Sequence, residues 1–471
     1  MNIWARRALL LVGILTCARM ALAAVLGLDG APAYYAMWAR HLQLSYYDHP
    51  ALLALSIRAS AEVFGWNTFA VKLPAILLYA LSSLVMWKCV RAWKGEERGA
   101  FYAVAFFNFM PWIASSFGIK AVNPDVPFVF LWLLAFYCFS RLYESGNGRW
   151  WLALGVIAAI GFNAKYKMIL LYPALLACMF VLPKMRAQWR SPWLYIGAII
   201  GLLGVAPPLI WNMENGFASF SYHLVERQES LGFRPIALLN FIGNQILIMG
   251  IFAPIMLARN AWKERSSEVG RATISFAAPF IIIFSAVTLF FSGAMQNWWA
   301  AVWCVFLILY GARAKIAKWS RRALVFTATA SVIGTAFYAY PFGVRLRDSS
   351  GFLDFHSWDK AAEYLQARWS YEPVGTPRYR ATGMLSFYLP NREIYSLDWR
   401  KRDQFQLWNP PSELVGKDVI LVFGGKDAKS GPGMFDAARI ELLETKTFDY
   451  NPWFSRTFHY YKLHGYRGVK Q

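Results

Sequence analysis

The first 341 residues alternate between long apolar runs and short polar segments. Each run is long enough to cross about 30 Å of hydrocarbon, which indicates a transmembrane helix. We predict about eleven spans, which begin near residues 8, 69, 99, 126, 151, 167, 192, 235, 272, 298 and 323. Ala21-Leu22-Ala23 resembles a signal-peptide cleavage site, but Arg19 interrupts the preceding run and many spans follow. We therefore expect an uncleaved first span.

The short polar segments carry an asymmetric charge. If the N-terminus with Arg6 and Arg7 lies in the cytoplasm, the segments on that side hold 20 basic and 5 acidic residues. An excess of Lys and Arg is typical of the cytoplasmic side of membrane proteins. An odd number of spans then places the C-terminal region on the opposite face. The net charge of +21 is mostly explained by topology and requires no nucleic-acid partner.

The composition changes at about residue 342, where the long apolar runs end. Ser357 is a suitable N-cap for a short helix that begins at Trp358. Val419–Phe423 is a short apolar segment that predicts a strand, and Arg456–Leu463 is a second strand candidate. We therefore expect a small α/β domain in this region, on the extracytoplasmic face of the membrane.

The overall composition excludes several classes of protein. Hydrophobic residues make up 57% of the 471 residues and charged residues 16%, whereas soluble domains are about a quarter charged. The five cysteines lie in or beside apolar runs and none has metal-ligand spacing, so we expect small core hydrophobes. The sequence has no Walker A, GxGxxG or HExxH motif. The predicted fold is a polytopic α-helical membrane domain over 1–341, with a long first outer loop over 28–67, and an α/β domain over 342–471.

The first outer loop holds the first group of candidate site residues, because polar residues at span ends are functional candidates. These candidates are Asp29, Tyr34, Tyr35, Tyr47, Asp48, His49 and Arg58. A loop with this many aromatic residues often packs on the membrane surface as an amphipathic helix. For the aromatic residues, an interfacial belt that includes Trp38 is the alternative interpretation. Asp48 and His49 lie beside a proline and favour a functional role.

Two further outer segments carry polar residues that need a reason. Lys120 and the turn Asn123-Pro124-Asp125 separate two spans, and Asp125 either serves a site or caps the next helix. Lys165 and Lys167 lie on the outer side, against the charge bias. They indicate an anionic ligand such as a lipid phosphate, with snorkelling toward headgroups as the alternative. Arg19, inside the first span, is expected to pair with a carboxylate or to reach that phosphate.

Taken in order, several segments resemble a known family of membrane enzymes. The resembling segments are Ala33-Tyr34-Tyr35, Tyr46-Tyr47-Asp48-His49-Pro50, Asn123-Pro124-Asp125-Val126-Pro127, Ala164-Lys165-Tyr166, Pro207-Pro208-Leu209-Ile210-Trp211-Asn212, Gln296-Asn297-Trp298 and Leu385-Ser386-Phe387-Tyr388-Leu389-Pro390. The family comprises bacterial glycosyltransferases of the GT-C clan, related to dolichyl-phosphate-mannose–protein mannosyltransferases and to lipid A aminoarabinose transferases. The resemblance extends over nearly the whole chain.

The resemblance implies an inverting glycosyltransferase of the inner membrane. Such an enzyme moves a sugar from a polyprenyl-phosphate carrier to an outer-face acceptor, which is lipid A, a surface polysaccharide or protein. The implied partners are therefore membrane lipids, the lipid-linked sugar and a glycolipid or glycan. The implied catalytic residues are Asp125 and Asp29. Those implied for the donor phosphate are Lys165, Tyr166, Lys167, His49 and Arg58, and those implied for the substrate loop are Tyr34, Tyr35, Tyr47, Asp48 and Lys120.

One departure from the family pattern leaves alternatives open. Relatives carry an Asp-Glu pair immediately before the residue matching Ala33, whereas this chain has Ala31 and Pro32, and the nearest carboxylate is that of Asp29. A non-catalytic relative that binds the lipid carrier is one alternative. A lipid or polysaccharide transporter is another, although such proteins often contain repeats and none is found here. The sequence indicates no cofactor firmly; a divalent metal stays an open alternative that no residue spacing supports.

Overall fold

The computed structural model describes residues 2–120, 122–226, 231–291, 295–340, 356–424 and 431–470, and most of them are helical. The helices before residue 341 are α1 (Ile3–Val25), α2 (Gly30–Arg40), α3 (Leu52–Phe64), α4 (Thr68–Ala92), α5 (Glu97–Phe109), α6 (Pro111–Ile113), α7 (Asp125–Ser145), α8 (Trp150–Ala164), α9 (Leu171–Val181), α10 (Pro192–Leu203), α11 (Ala206–Glu214), α12 (Ala218–Ser221), α13 (Pro235–Ile248), α14 (Phe252–Lys263), α15 (Glu268–Phe290), α16 (Ala300–Arg313) and α17 (Lys318–Ala339). Short π-helical turns cover Ala114–Ile119 and Tyr222–Glu226, and short 3₁₀ turns cover Tyr166–Leu170, Pro183–Arg190 and Gln296–Trp299.

Six helices of the described chain are long and apolar enough to cross a membrane. They are α1, α4, α7, the continuous pair α10 and α11, α15 and α17. Three bent helix pairs raise the number to nine if each is one span, and α8 is a shorter apolar helix. The predicted class, a polytopic helical membrane protein, is confirmed. The figure of about eleven spans stays a prediction.

The three bends occur where the local sequence disfavours a continuous helix. Pro111 follows the 59° bend after α5, and Pro183 follows the 113° bend after α9. The residue before a proline is pushed out of the helical region, and Met110 and Leu182 accordingly have extended ψ angles of 120° and 109°. The third bend, of 109°, lies at Gly250, whose φ of +96° suits glycine.

Glycines bring neighbouring helices into close contact. A Cβ atom on Gly155 of α8 would lie 2.2 Å from the carbonyl oxygen of Gly197 in α10. A Cβ on Gly197 would lie 2.2 Å from the carbonyl oxygen of Trp151. Likewise, a Cβ on Gly99 of α5 would lie 2.0 Å from the carbonyl oxygen of Gly311 in α16. Small residues of this kind allow membrane helices to pack backbone against backbone.

The C-terminal region contains a five-stranded sheet with flanking helices. Its elements are α18 (Trp358–Arg368), β1 (Val374–Thr376), α19 (Tyr379–Tyr388), β2 (Ile394–Ser396), α20 (Gln404–Trp408), β3 (Val419–Gly424), β4 (Phe435–Asn451) and β5 (Phe454–Val469). The strand order is β2-β1-β3-β5-β4. Strand β1 pairs in parallel with β2 and β3, whereas β5 is antiparallel to β3 and β4. Every residue of β3 is buried, as expected of a central strand.

The C-terminal predictions are confirmed in class and corrected in detail. The predicted helix and the strand at Val419 are present, and the strand at Arg456 is longer than predicted. Ser357 does not cap the helix through its side chain, because its φ of +66° is incompatible with the usual extended N-cap geometry. Cys17 is exposed rather than a core residue, while the other four cysteines are buried.

The chain forms two compact units. The first comprises Met1–Ala21, Gln43–Ser56 and Lys72–Gly334, and the second comprises Leu22–Leu42, Ile57–Val71 and Thr335–Gln471. Within the second unit, α2 packs on α19, and a Cβ on Gly383 would lie 2.8 Å from the backbone nitrogen of Tyr34. The predicted boundary between residues 341 and 342 lies outside the described residues.

Replacement of Gly155 by valine should force α8 away from α10, because the new side chain would overlap the carbonyl of Gly197. Overpacking of this kind costs about 1–3 kcal/mol. We expect a lower thermal unfolding temperature for the purified protein in detergent. Gly243→Val in α13 is the matched control, since a Cβ on Gly243 meets nothing within 4 Å. Equal unfolding temperatures for the two variants would contradict the packing account.

Candidate active site

A buried ion pair lies where α7 begins and α8 ends. The Lys165 ammonium contacts Oδ2 of Asp125 at 2.7 Å, and the two side chains are 7% and 5% exposed. Asp125 is the first residue of α7, whereas Lys165 follows the last residue of α8. The two charges are 40 residues apart in the chain. The fold therefore joins two polar residues that the sequence presents as separate clusters.

Asn297 completes this cluster from the 3₁₀ turn Gln296–Trp299. Its amide nitrogen donates to the same Oδ2 of Asp125 at 2.5 Å. Oδ1 of Asp125 and Oδ1 of Asn297 are both buried, and neither has a hydrogen-bond partner among the described residues. Buried polar atoms are normally hydrogen-bonded. A ligand with hydrogen-bond donors would satisfy these two acceptors.

The turn before α7 is built by Asn123. Its side-chain oxygen accepts a hydrogen bond from the backbone nitrogen of Asp125 at 3.0 Å, and its amide donates to the carbonyl of Ser116 at 2.7 Å. The Asp125 carboxylate does not cap α7; it accepts from Lys165 and Asn297 instead. Of the two interpretations that the sequence leaves open for Asp125, capping of α7 is wrong, and participation in a site stays a prediction.

Lys165 adopts an extended conformation, with φ of −162° and ψ of 136°, and this break directs the next residues away from α8. Tyr166 then hydrogen-bonds Ser219 and Ser45 through its hydroxyl group, at 3.0 and 3.3 Å. The Lys167 ammonium lies 5.0 Å from the centre of the Phe284 ring and acts electrostatically on Asp125. Two ammonium groups are thus close to one carboxylate.

The ring of Tyr166 also contacts His223, one of a pair of histidines. The His223 ring is edge-on to Tyr166, with 5.4 Å between ring centroids, and its centroid is 5.8 Å from that of His49. Nε2 of His223 is 2.7 Å from the carbonyl oxygen of Asp48. The chain Lys165-Tyr166 therefore links the acidic cluster to the histidines, and all of these residues belong to the first unit.

Tyr47 occupies the same loop as Asp48. Its hydroxyl donates to Oε2 of Glu226 at 2.6 Å, and its ring packs against Tyr222 with 4.9 Å between centroids. Burial raises the pKa of the Tyr47 phenol, and the hydrogen bond to Glu226 raises it further. Tyr47 is therefore a neutral hydrogen-bond donor at physiological pH.

The predicted site residues are divided between the two units. Asp125, Lys165, Tyr166, Lys167, Tyr47, Asp48, His49 and Lys120 belong to the first unit, whereas Asp29, Tyr34, Tyr35 and Arg58 belong to the second. Within the second unit, Arg58 pairs with Glu62 at 2.5 Å. The Tyr34 hydroxyl accepts from the backbone nitrogen of Gln404 at 2.9 Å, and Asp29 precedes the first turn of α2. These contacts give Tyr34 a packing role that the sequence does not reveal.

Several residues of the site were not predicted. Asn297 lies in a segment whose resemblance to the family is visible, but no charge or spacing identifies its amide as a ligand of Asp125. His223 and Glu226 follow α12 in a polar stretch without a recognisable motif. Within the described part of the chain, Arg19 has no ion pair with a carboxylate and no hydrogen bond to Lys165. It donates to the Asn108 side chain at 3.0 Å and lies over the Tyr79 ring. Among the described residues, no group of three His, Cys, Asp or Glu side chains is placed to hold a metal.

The chain is similar to known membrane glycosyltransferases. The family model of dolichyl-phosphate-mannose-protein mannosyltransferases matches residues 48–211. Lipid A galacturonosyltransferase RgtD of Rhizobium johnstonii is 22% identical over 58% of this chain and 60% of its own length. An undecaprenyl phosphate-alpha-4-amino-4-deoxy-L-arabinose arabinosyl transferase of Pseudomonas fluorescens is 28% identical over 36% of this chain and 31% of its own. The chain thus matches less than two thirds of each relative.

A solved structure shows the same fold over nearly the whole chain. The crystal structure of ArnT from Cupriavidus metallidurans bound to undecaprenyl phosphate covers 97% of this chain and 98% of its own, with a TM-score of 0.65 and 13% identity. The chain therefore has the GT-C fold of a multi-pass membrane protein. The resemblance that the sequence motifs predict is confirmed.

Removal of one partner of the buried pair should destabilise the protein more than removal of both. Lys165→Met removes the cation of the pair and leaves the Asp125 carboxylate buried. Loss of one partner of a buried ion pair lowers the free energy of unfolding by about 3–5 kcal/mol. In the double variant Asp125→Leu/Lys165→Met no uncompensated charge of the pair remains. We expect the wild type to have the highest unfolding temperature, the double variant an intermediate one and the single variants the lowest.

The exposed pair of Arg58 and Glu62 is the control for that series. Its side chains are 39% and 57% exposed, and exposed pairs contribute little to stability. Arg58→Met should therefore leave the unfolding temperature nearly unchanged. A single variant at Lys165 as stable as the wild type would contradict the buried pair.

Proposed function

We propose that this chain is an inverting glycosyltransferase that moves a sugar from a polyprenyl-phosphate carrier to an acceptor at the outer membrane face. The observation that carries the proposal is the pair of donor-less acceptor atoms, Oδ1 of Asp125 and Oδ1 of Asn297, beside the ammonium groups of Lys165 and Lys167. The acceptors suit hydroxyl groups and the cations suit a phosphate. A sugar phosphate combines both kinds of group.

The proposed chemistry uses the two sides of this cluster. The bond between the anomeric carbon and the phosphate oxygen breaks, and its electron pair stays on the carrier phosphate. Lys165 and Lys167 stabilise that developing charge, since fixed cations act strongly in a site that excludes water. His49 and Tyr166 are assigned to the same phosphate. The acceptor oxygen attacks the anomeric carbon from the opposite face, which inverts its configuration.

Asp125 is assigned the role of general base in this reaction. Its Oδ1 is free of hydrogen bonds from the described residues and can take the proton of an acceptor hydroxyl. Oδ2 is held by Lys165 and Asn297, which fixes the orientation of the carboxylate. If the acceptor atom belongs to a phosphate, no strong base is needed and Asp125 orients the sugar. Asp29 stays a predicted catalytic residue on the resemblance alone.

The choice of donor and acceptor follows the relatives. The matched proteins are named as a lipid A galacturonosyltransferase and as an undecaprenyl phosphate aminoarabinose transferase, and the ArnT crystal structure contains undecaprenyl phosphate. We therefore propose a polyprenyl-phosphate-linked sugar as donor. Lipid A or a surface polysaccharide is the favoured acceptor, before protein. We further propose a cytoplasmic N-terminus and a periplasmic C-terminal domain, on the charge asymmetry of the polar segments.

The proposal is tested in a strain that lacks this protein. We expect one sugar to disappear from lipid A or from the surface glycans, and its polyprenyl-phosphate form to accumulate, as measured by mass spectrometry. The wild-type chain should restore the modification, and Asp125→Asn should fail to do so because it loses the basic oxygen. Glu363→Gln, at an exposed residue of α18, is the matched control and should restore it fully.

Two further variants divide the site into its assigned roles. Lys165→Ala should reduce the use of the donor, and Asp29→Ala should fail to restore the modification only if Asp29 takes the place of the acidic pair missing at Ala31 and Pro32. Unchanged glycoconjugates and polyprenyl lipids in the deletion strain would contradict the transferase. Full activity of a folded, membrane-inserted Asp125→Asn protein would contradict the role of Asp125 as general base.

A further inference from the structure

An apolar cavity of about 470 Å³ lies between α8, α9 and α10, within the first unit. Trp151, Met179 and Leu194 line one end of it, Leu175 lines the middle, and Leu171 and Tyr172 line the opposite end. From Leu171 to Met179 the cavity follows α9 for about 12 Å, at 1.5 Å per residue. Its elongated form and apolar walls suit one segment of a hydrocarbon chain.

The turn Pro183–Arg190 contributes Trp189 to the wall of this cavity. The turn is bent by 113° from the preceding helix, so it runs across the direction of α9. Met185 and Gln188 are buried, whereas Lys184, Arg186 and Arg190 are exposed. An amphipathic segment of this kind lies in the interface between hydrocarbon and headgroups. On this principle, the end of the cavity beside Trp189 is assigned to the level of the lipid headgroups.

Arginine residues flank the segments that form that end of the cavity. Arg186 and Arg190 flank Trp189, and Arg149 immediately precedes α8, whose second residue lines the cavity. The two loops touch, because a Cβ on Gly148 would lie 2.4 Å from the hydroxyl oxygen of Ser191. Basic pockets between membrane helices are typical binding sites for anionic headgroups. An apolar cavity with a cationic mouth is complementary to a lipid that has one acyl chain in the cavity and its phosphate at the mouth.

We propose that this cavity binds an anionic glycerophospholipid, with an acyl chain along α9 and its phosphate on Arg186 and Arg190. The mouth lies at the start of α8, whereas Lys165 follows the end of α8, about 21 Å away along the helix. The mouth of the cavity is thus remote from Lys165, and the proposed lipid is distinct from a sugar donor bound there. The proposal does not rest on the proposed transferase activity. It predicts a structural or regulatory lipid.

The test measures lipid binding to the purified full chain by native mass spectrometry. Phosphatidylglycerol and phosphatidylcholine with the same acyl chains are titrated against the protein in detergent. We expect the wild type to retain phosphatidylglycerol in preference to phosphatidylcholine. Each Arg near a membrane surface contributes about a fivefold factor in binding. The variant Arg186→Gln/Arg190→Gln should therefore bind phosphatidylglycerol about 25-fold more weakly.

Two further variants separate the cavity from general surface charge. Ala198→Phe, at a residue that lines the cavity, should also lose the lipid, because the ring occupies the space of the acyl chain. Arg321→Gln/Arg322→Gln in α17 removes two basic residues predicted on the same membrane face and should retain the lipid. The arginines changed in both charge variants are exposed, so each protein is expected to fold.

Three results would overturn the proposal. The first is equal affinity for the neutral and the anionic lipid, which would leave the arginines without a role. The second is unchanged phosphatidylglycerol binding by the Arg186→Gln/Arg190→Gln or the Ala198→Phe protein. The third is displacement of phosphatidylglycerol by undecaprenyl phosphate at equal concentration, which would assign the cavity to the polyprenyl carrier. None of these results depends on whether the protein transfers a sugar.

Discussion

The buried contact between Asp125 and Lys165 is the constraint on which the rest of the site depends. A carboxylate that is 5% exposed is costly unless a cation and hydrogen bonds compensate it. Lys165 and Asn297 provide both on one oxygen, and they come from chain segments far apart in sequence. The beginning of α7, the end of α8 and the turn before α16 must therefore meet at one point. The second oxygen of Asp125 is buried and has no hydrogen-bond partner among the described residues.

The polar link from this pair continues through Tyr166 to the histidines. Tyr166 follows Lys165 directly, so the extended backbone at Lys165 fixes both side chains together. Ser45 belongs to the loop that carries Asp48 and His49, and its hydroxyl contacts that of Tyr166. A phosphate bound by Lys165 would thus be separated from the histidines by the side chain of Tyr166. This connection explains why the loop after residue 43 belongs to the first unit.

The membrane class, the C-terminal sheet region and the individual polar candidates could be predicted from the sequence. Lys165 was identifiable because it opposes the charge bias, and Asp125 because it follows a proline turn. Their pairing could not be predicted, since 40 residues and several helix ends separate them. Strand β4 was missed because most of its side chains are exposed or only partly buried. The sharp bends at Pro111 and Pro183 were missed because apolar runs conceal a change of direction.

The central claim is that the Asp125 cluster transfers a sugar from a polyprenyl phosphate, and a reconstituted reaction tests it most directly. Purified protein in liposomes is given a synthetic polyprenyl-phosphate sugar and lipid A, and the released polyprenyl phosphate is measured against glycosylated lipid A. The account predicts equal amounts of both products from the wild type and neither from Asp125→Asn. The account would be contradicted if carrier were released but no acceptor in a panel of lipid A and glycans were glycosylated. Equal turnover by the Asp125→Asn variant would also contradict it.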